Sequence, residues 1–417
     1  MTVRPGVNWA GNVAYRAERL HRPTTVDQVR SIIAAAPRIR VLGSRHSFND
    51  MADSAELLTL DALPADVTVD RAAGTVSCAG GTTYAQLASA LHEHGSALHN
   101  LASLPHISVA GAVATATHGS GDGNGNLATA VAGLELVTSS GDLVTATRGD
   151  PDFDGLVVGL GALGPVTRIT LDVEPDYQVR QHAFVGLAWD ALYEDFDEIM
   201  AAGYSVSVFT RWAQAVDQVW VKSRTARDPE GDFFGAIAAT EDRHPIPGMD
   251  PTNCTPQLGR PGPWADRLPH FRAGFVPSSG AELQSELLVP RPHAVDAIRA
   301  VHGLAGRIRP LLHVSEIRTV AADALWLSPQ YRRDTVGIHF TWRPQPHAVA
   351  AVLADLEAAL ADFDARPHWG KLFLADAETI AARYPRLPDF ARLVHRLDPR
   401  GAFRNPWLDT QVLNACG

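Results

Sequence analysis

Between Asn100 and Asn126 the chain reads NLASLPHISVAGAVATATHGSGDGNGN. This run has neither the 3.6-residue period of an amphipathic helix nor the alternation of a half-buried strand, yet it is crowded with Gly, Ala, Ser and Thr. Side chains this small let the backbone approach something else closely. A flexible linker shares that composition, but Pro105, His106, Val109, Val113 and His118 are not linker residues. The stretch therefore predicts a backbone cradle for a ligand, with no helix or strand of its own.

A second junction points the same way. In IRVLGSRHSF, Ile39 to Phe48, an apolar strand runs into Gly43, Ser44, Arg45 and His46. Such strand-to-turn junctions are where open α/β folds bring backbone N–H groups up to a phosphate-bearing cofactor. His46 is either a ligand contact or a bystander capping a turn. Ahead of it, Thr25 and Gln28 have capping-box spacing, Val26, Val29, Ile32, Ile33 and Ala36 form one stripe, and Pro37 closes the predicted helix. Hairpins are expected around Ala73-Gly74 and Ser140-Gly141-Asp142, with a helix over TYAQLASALHEHG between them that stops at Gly95. GLGALGPVTRITLDVEP closes the region, and Pro175 marks a domain boundary.

At 417 residues the chain exceeds one comfortable core and predicts two domains. Hydrophobic residues at 46% and charged residues at 20% supply a packed interior and argue against disorder. With 36 basic and 46 acidic side chains the formal net charge is −10, which disfavours nucleic acid or an anionic membrane surface as the main partner. Three scattered cysteines, Cys78, Cys254 and Cys416, fit neither a disulfide framework nor a metal site, and a reducing cytoplasm is the simplest setting. No apolar leader and no run of about 18 apolar residues is present.

Beyond Pro175 the texture changes to helices such as WDALYEDFDEIMAA alternating with strands such as SVSVFTRW and QVWVKS. A Pro-rich loop over about 244–269 is too long and too rich in Pro and Trp for an idle connection, and is expected to cover a site. In HVSEIRTV the period of two puts Glu316 and Arg318 on one face, roughly 7 Å apart, with Ile317 and Thr319 on the other. In DTVGIHFTW it sends Thr335, Gly337, His339 and Thr341 one way and Val336, Ile338, Phe340 and Trp342 the other. The apolar faces must pack on helices, so the polar faces meet water or a cavity. A solvated face with a surface ion pair worth about 0–1 kcal/mol is the plain alternative. Against it, an acid, an Arg, an imidazole and a hydroxyl gather on one wall, and HWGKLF adds Lys371. Such a wall suits a hydroxyl-rich ligand, since each OH needs both a donor and an acceptor.

Taken in order, VLGSRHSF, ASLPHISVAGAVATATHGSG, GLGALGPVT, EIRTV, HFTW and HWGK resemble the alditol oxidases of the vanillyl-alcohol oxidase flavoprotein family, over nearly the whole chain from NWAGN onward. The resemblance implies an α+β, two-domain PCMH-type FAD-binding fold with a mixed-sheet substrate domain. Residues 1–175, completed by about 376–417, would form the FAD-binding domain, and 176–375 the substrate-binding domain. It implies that His46 carries FAD covalently, through an imidazole nitrogen to the 8α carbon. It further implies FAD contacts from Gly43, Ser44, Arg45, Ser47, Phe48, Ser103, Ser108, Gly111, Thr115, Thr117 and His118, with Gly161, Gly164 and Val166 on the adenine side. Arg45 stands where some alditol oxidases have Gly. Ser103, Glu316, Arg318, Thr341 and Lys371 match the positions that hold the polyol, with His339 beside them. Arg318 and Lys371 would stabilise a forming alkoxide, His339 would act as base or relay, and Glu316 would offset part of the cost of the two cations and accept hydrogen bonds from polyol hydroxyls farther along.

The implied reaction takes a terminal CH2OH of xylitol or sorbitol to the aldehyde, with O2 reduced to H2O2, in a cytoplasmic monomer that has no nucleic-acid or membrane partner. An aldonolactone oxidase or dehydrogenase of the same family is the near alternative, and a flavin- or sugar-binding module without turnover the distant one. No metal is expected, because the 17 histidines show no ligand spacing.

Overall fold

A computed structural model describes residues 6–225, 232–275 and 282–414; Cys416 lies outside them. Among the described residues the N-terminal half holds three sheets, the smallest pairing Ser96–Ala97 with Glu174–Pro175. Arg19–His21 and Ile39–Val41 both pair in parallel with Glu56–Leu58. A five-stranded antiparallel sheet runs in the order Thr68–Asp70, Thr75–Ala79, Val166–Asp172, Val131–Val137, Leu143–Thr147. The predicted helices are Val26–Ala35 and Tyr84–Glu93. Thr25 accepts from the Gln28 N–H at the first, and Thr83 and Gln86 make a reciprocal capping box at the second. Gly74, Gly95 and Gly141 take positive φ at the expected turns.

Within Asn100–Asn126 the expectation of no regular element needs correction, because Val109–Ala114 is helical. At six residues, all small or β-branched, the helix is too short to print a period on the sequence. WDALYEDFDEIMAA is likewise not one helix but two, Trp189–Glu194 and Phe196–Met200, with Asp195 between them at φ −114°. Breaking there lets Trp189, Leu192, Phe196, Ile199 and Met200 all reach the same core.

The C-terminal half is organised by a nine-stranded sheet. Its central order is Gln178–Val185, Gln218–Ser223, Ser205–Thr210, Leu312–Val320, Thr335–Trp342, Leu283–Pro290. These pairings are antiparallel, so the mixed character expected here resides in helices alternating with strands. One face buries Ile317, Val336, Ile338, Phe340 and Trp342 against the helices Ala294–Gly303 and Pro346–Ala359. At about 25 cal/mol per Å2 of apolar surface, burying that face drives the sheet to present its other side inward, toward the N-terminal half. The chain then returns: Ile39 N–H donates to Ala402 O at 2.8 Å, and Arg40 donates to the Phe403 and Leu160 carbonyls. Among the described residues no helix is long and apolar enough to cross a membrane.

Candidate active site

One cavity of about 660 Å3 lies between the cradle of small residues and the polar face of the large sheet. Every site residue singled out from the sequence borders it: Gly43 to Phe48, Ser103, Ser108, Gly111, Thr115, Thr117, His118, Gly161, Gly164 and Val166 from the N-terminal half, Glu316, Arg318, His339, Thr341 and Lys371 from the C-terminal half. The Pro-rich loop contributes His244, Pro245, Ile246, Met249, His270 and Phe271 to the same lining.

The cradle is shaped by missing side chains. A Cβ on Gly164 would meet Val137 O at 2.0 Å, and one on Gly81 would meet Leu60 O at 2.3 Å. Ser108 Oγ would lie 2.8 Å from a Cβ on Gly43 and 2.6 Å from one on Gly111, and it is buried without a hydrogen-bond partner. Ser44 Oγ accepts from Ser108 N–H at 3.1 Å, tying the two loops together. Arg45 sits at φ +65°, the left-handed region that glycine occupies without penalty. His46 is stacked on Trp9 with ring centroids 5.4 Å apart, and its Nε2 is 3.0 Å from His106 Nε2. Its Nδ1 is buried with no partner in hydrogen-bond geometry, the Ser44 backbone acting only as a nearby dipole. Burial, with His106 beside it, pulls the imidazole down to about 4, so His46 is neutral and holds a free lone pair.

The wall is shaped by present side chains. Laterally paired residues point to the same side of a sheet, and Glu286, His339, Glu316 and Phe209 form one such row across four strands. Lys371 Nζ donates to Glu286 Oε2 at 2.6 Å and to His339 Nδ1 at 2.9 Å. Arg318 Nη2 donates to Glu286 Oε1 at 3.0 Å, while its Nε, 3.6 Å from Glu316 Oε1, has no hydrogen-bond partner. Glu286 is therefore the main counter-charge of both cations. Glu316 shares Arg318 at the longer distance of 3.6 Å and also takes the His270 ring N–H at 2.8 Å.

Burial alone would raise the Glu286 carboxyl, but Lys371, Arg318 and His118 overcome it and hold it well below the usual carboxylate range. The same contest, with burial opposed by Arg318 and His270, depresses Glu316. Burial and Arg318 lower Lys371 against the pull of Glu286. Burial and Lys371 hold His339 neutral; with Nδ1 accepting from Lys371, its Nε2–H donates to Thr341 Oγ1 at 3.1 Å.

Gly337 completes the wall by what it omits, since a Cβ there would meet Glu286 Oε1 at 2.9 Å. Sequence reasoning missed Glu286, His368 and His270. The available signal for Glu286 was a carboxylate inside the apolar strand LQSELLVP. Ligand atoms of His118, Glu286 and His368 lie within 4.8 Å of one another, a grouping invisible to linear spacing. Two cations already bonded to Glu286 oppose a metal ion there.

The halves are clasped where the two walls meet. Phe48 N–H donates to Gly370 O at 2.8 Å, and Asn49 Nδ2 donates to Trp369 O at 2.8 Å and Lys371 O at 3.0 Å. The loop that carries Lys371 thus rests on the segment that follows His46.

Comparison with known proteins matches this layout. Residues 17–147 match the FAD binding domain family and residues 282–411 the D-arabinono-1,4-lactone oxidase family. An alditol oxidase of Streptomyces sp. is 52% identical over 406 residues, covering 96% of this chain and 97% of that protein. An L-gulono-1,4-lactone dehydrogenase of Mycobacterium tuberculosis is 28% identical over 427 residues, with the same coverage of each. The crystal structure of a cholesterol oxidase from B. sterolicum superposes with a TM-score of 0.80 at 15% identity, over 98% of this chain and 96% of that one, and shares the fold. A glycine-shaped cradle with an unpartnered Ser108 hydroxyl and a free His46 nitrogen fits a bound FAD. By its similarity to the Streptomyces protein over almost the full length of both, the chain belongs to the alditol oxidases of the vanillyl-alcohol oxidase flavoprotein family.

Proposed function

We propose that this protein oxidises the terminal primary hydroxyl of alditols such as xylitol and sorbitol to the aldose, with O2 as acceptor and H2O2 as product, on FAD tethered through His46. The observation that carries the reading is the row of buried, mutually bonded charges on the wall opposite the cradle. Bound FAD supplies a hydride acceptor that a second substrate can reoxidise. The chain supplies the rest. An ammonium has three N–H donors, and Lys371 commits two of them to Glu286 and His339, which leaves one for the reacting oxygen. Arg318 Nε is a second uncommitted donor. Together they favour the alkoxide over the alcohol, electrostatic help of the kind whose loss costs about 10²–10³-fold. His339 offers no free lone pair while Lys371 occupies Nδ1, so it relays a proton by way of Lys371 Nζ rather than taking one directly. Glu316 keeps an oxygen for hydroxyls farther along the polyol.

Support for the tether is the neutral, unpartnered Nδ1 of His46. His46→Ala is expected to fold yet release its flavin on acid precipitation; flavin that stays with the pellet places the link elsewhere. The reading includes a monomer in a reducing cytoplasm, supported by the burial of Cys78 and Cys254 as free thiols.

Anaerobic titration with xylitol, followed by air, tests the substrate class. Bleaching of the flavin band, with recovery and peroxide on aeration, is the expected result. The match of residues 282–411 to a lactone oxidase family favours a second reading, and bleaching by an aldonolactone but by no polyol would establish it. A flavin that neither bleaches leaves a binding module.

A further inference from the structure

Behind the wall lies a buried lysine that the reaction as described does not use. Lys222, on the strand Gln218–Ser223, is 1% exposed and has no carboxylate partner among the described residues. Its Nζ donates to Leu268 O at 2.5 Å and reaches Pro269 O at 3.5 Å and His270 Nδ1 at 3.3 Å. Three acceptors around one nitrogen match the three N–H bonds of an ammonium. His270 then touches the wall: its Nε2 is 2.8 Å from Glu316 Oε1. Its backbone N–H also holds the cradle, donating to Ser103 O at 3.2 Å.

We infer that Lys222 is a positioning residue for polyol recognition: by donating to His270 Nδ1 it fixes the Nε2–H tautomer, and that N–H aims the Glu316 carboxylate at the substrate hydroxyls. An imidazole has one proton to share between two nitrogens when neutral, so a donor at one ring nitrogen dictates what the other does. Without Lys222 only Glu316 opposes the other tautomer, in which a ring lone pair faces the carboxylate and two acceptors repel. Glu316 favours the same tautomer from the far side; the ring's remaining neighbours do not choose, because Phe209 and Trp220 pack against it edge-on and Arg318 bonds to Glu286. Burial, with Lys222 and Arg318 opposed by Glu316, lowers His270 to about 4, which keeps it neutral through the working range. Burial likewise lowers Lys222, to about 7, with Glu316 opposing; above that pH the neutral amine still has two N–H bonds, one for Leu268 O and one for His270 Nδ1. The inference rests on the polyol reading for its consequence but not for its geometry.

The test has one part for each. In flavin-loaded protein carrying ¹⁵N-labelled histidine, the His270 signals are those lost in His270→Gln. The wild type is expected to show His270 as the neutral Nε2–H tautomer, and Lys222→Met to lose that state. A wild-type His270 found as the Nδ1–H tautomer or as imidazolium overturns the proposal, as does a tautomer unchanged in Lys222→Met. The first of these needs no Lys222 variant to fold.

In xylitol kinetics, Lys222→Met is expected to raise KM about tenfold at pH 8 with a smaller change in kcat. The deficit should shrink as pH falls and His270, now free of Lys222 and facing Glu316, gains its second proton. His270→Gln keeps an N–H toward Glu316 without a tautomer to choose, so adding Lys222→Met to it should cost little more in KM. Equal, pH-independent losses that add in the double variant mark a merely structural lysine and overturn the proposal. If wild-type flavin is not reduced by xylitol while the tautomer result stands, the polyol reading has failed and the positioning role has not.

Discussion

The cradle and the wall face each other across one cavity and are built by opposite means. Around Gly43, Gly81, Gly111 and Gly164 the surface is set by atoms the sequence leaves out, and its polar atoms are largely backbone and hydroxyl. Across from it, Glu286, Glu316 and Arg318 are buried and Lys371 is half-buried, each held by another. The contrast separates two kinds of vulnerability. A cradle fails when something is added, and it fails in binding. A wall of compensated charges fails when one member is removed, because the partner left behind is a buried charge without its complement.

Glu286→Gln strikes the wall where it is most connected and should have the largest effect. Breaking a buried pair costs about 3–5 kcal/mol, and here two cations lose their shared partner, so a fall of many degrees in Tm is expected. A variant as stable as wild type would mean that Glu316 compensates both. Next, Lys371→Met should slow anaerobic flavin reduction by xylitol about 10²–10³-fold while leaving flavin content unchanged. A rise in KM alone, with the reduction rate intact, would turn Lys371 from an alkoxide stabiliser into a binding contact.

Gly164→Ala probes the other side. At φ +110° the backbone strain alone is about 1–3 kcal/mol, its Cβ would also fall 2.0 Å from Val137 O, and it should lower flavin occupancy without changing reduction of the flavin that remains. Equal damage to both readouts would erase the distinction between the two surfaces. The gentlest test is acid. His270, His339 and His368 are buried with lowered proton affinity, so the unfolded chain takes up protons first once pH drops below about 6.5. Each contributes stability that is complete above that pH and declines by at most about 1.4 kcal/mol per unit below it. Glu286, depressed from 4.5, adds its own loss only in stronger acid. Tm should be flat from pH 8 to 7 and fall toward pH 5.5; a flat line throughout would mean that these rings take up protons in the fold as readily as in the unfolded chain.

How far the sequence reveals each surface follows from where its information lies. Alternation within Leu312–Val320 and Thr335–Trp342 put Glu316, Arg318, His339 and Thr341 on the right faces, because a strand's side-chain period is local. Glu286 joins them only because its strand pairs with Thr335–Trp342, and His118 and His368 only because the halves close over one another. Strand order is a long-range fact with no period. Lys222 sits in QVWVKS, where a polar residue at a strand end reads as an exit to solvent, and nothing local says that a Pro-rich loop will cover it. The helix Val109–Ala114 was hidden by brevity, and the break at Asp195 by two short apolar stripes that look continuous when read as one.

The clasp between Phe48 and Asn49 on one side and residues 369–371 on the other bears on protein engineering. Because Lys371 is registered by hydrogen bonds to the very segment that would anchor the cofactor, the two halves are not interchangeable modules. A chimera that grafts this sheet onto another flavin-binding half inherits its chemistry only if the Asn49 amide and its carbonyl partners travel together, and recombination points are better chosen away from that seam.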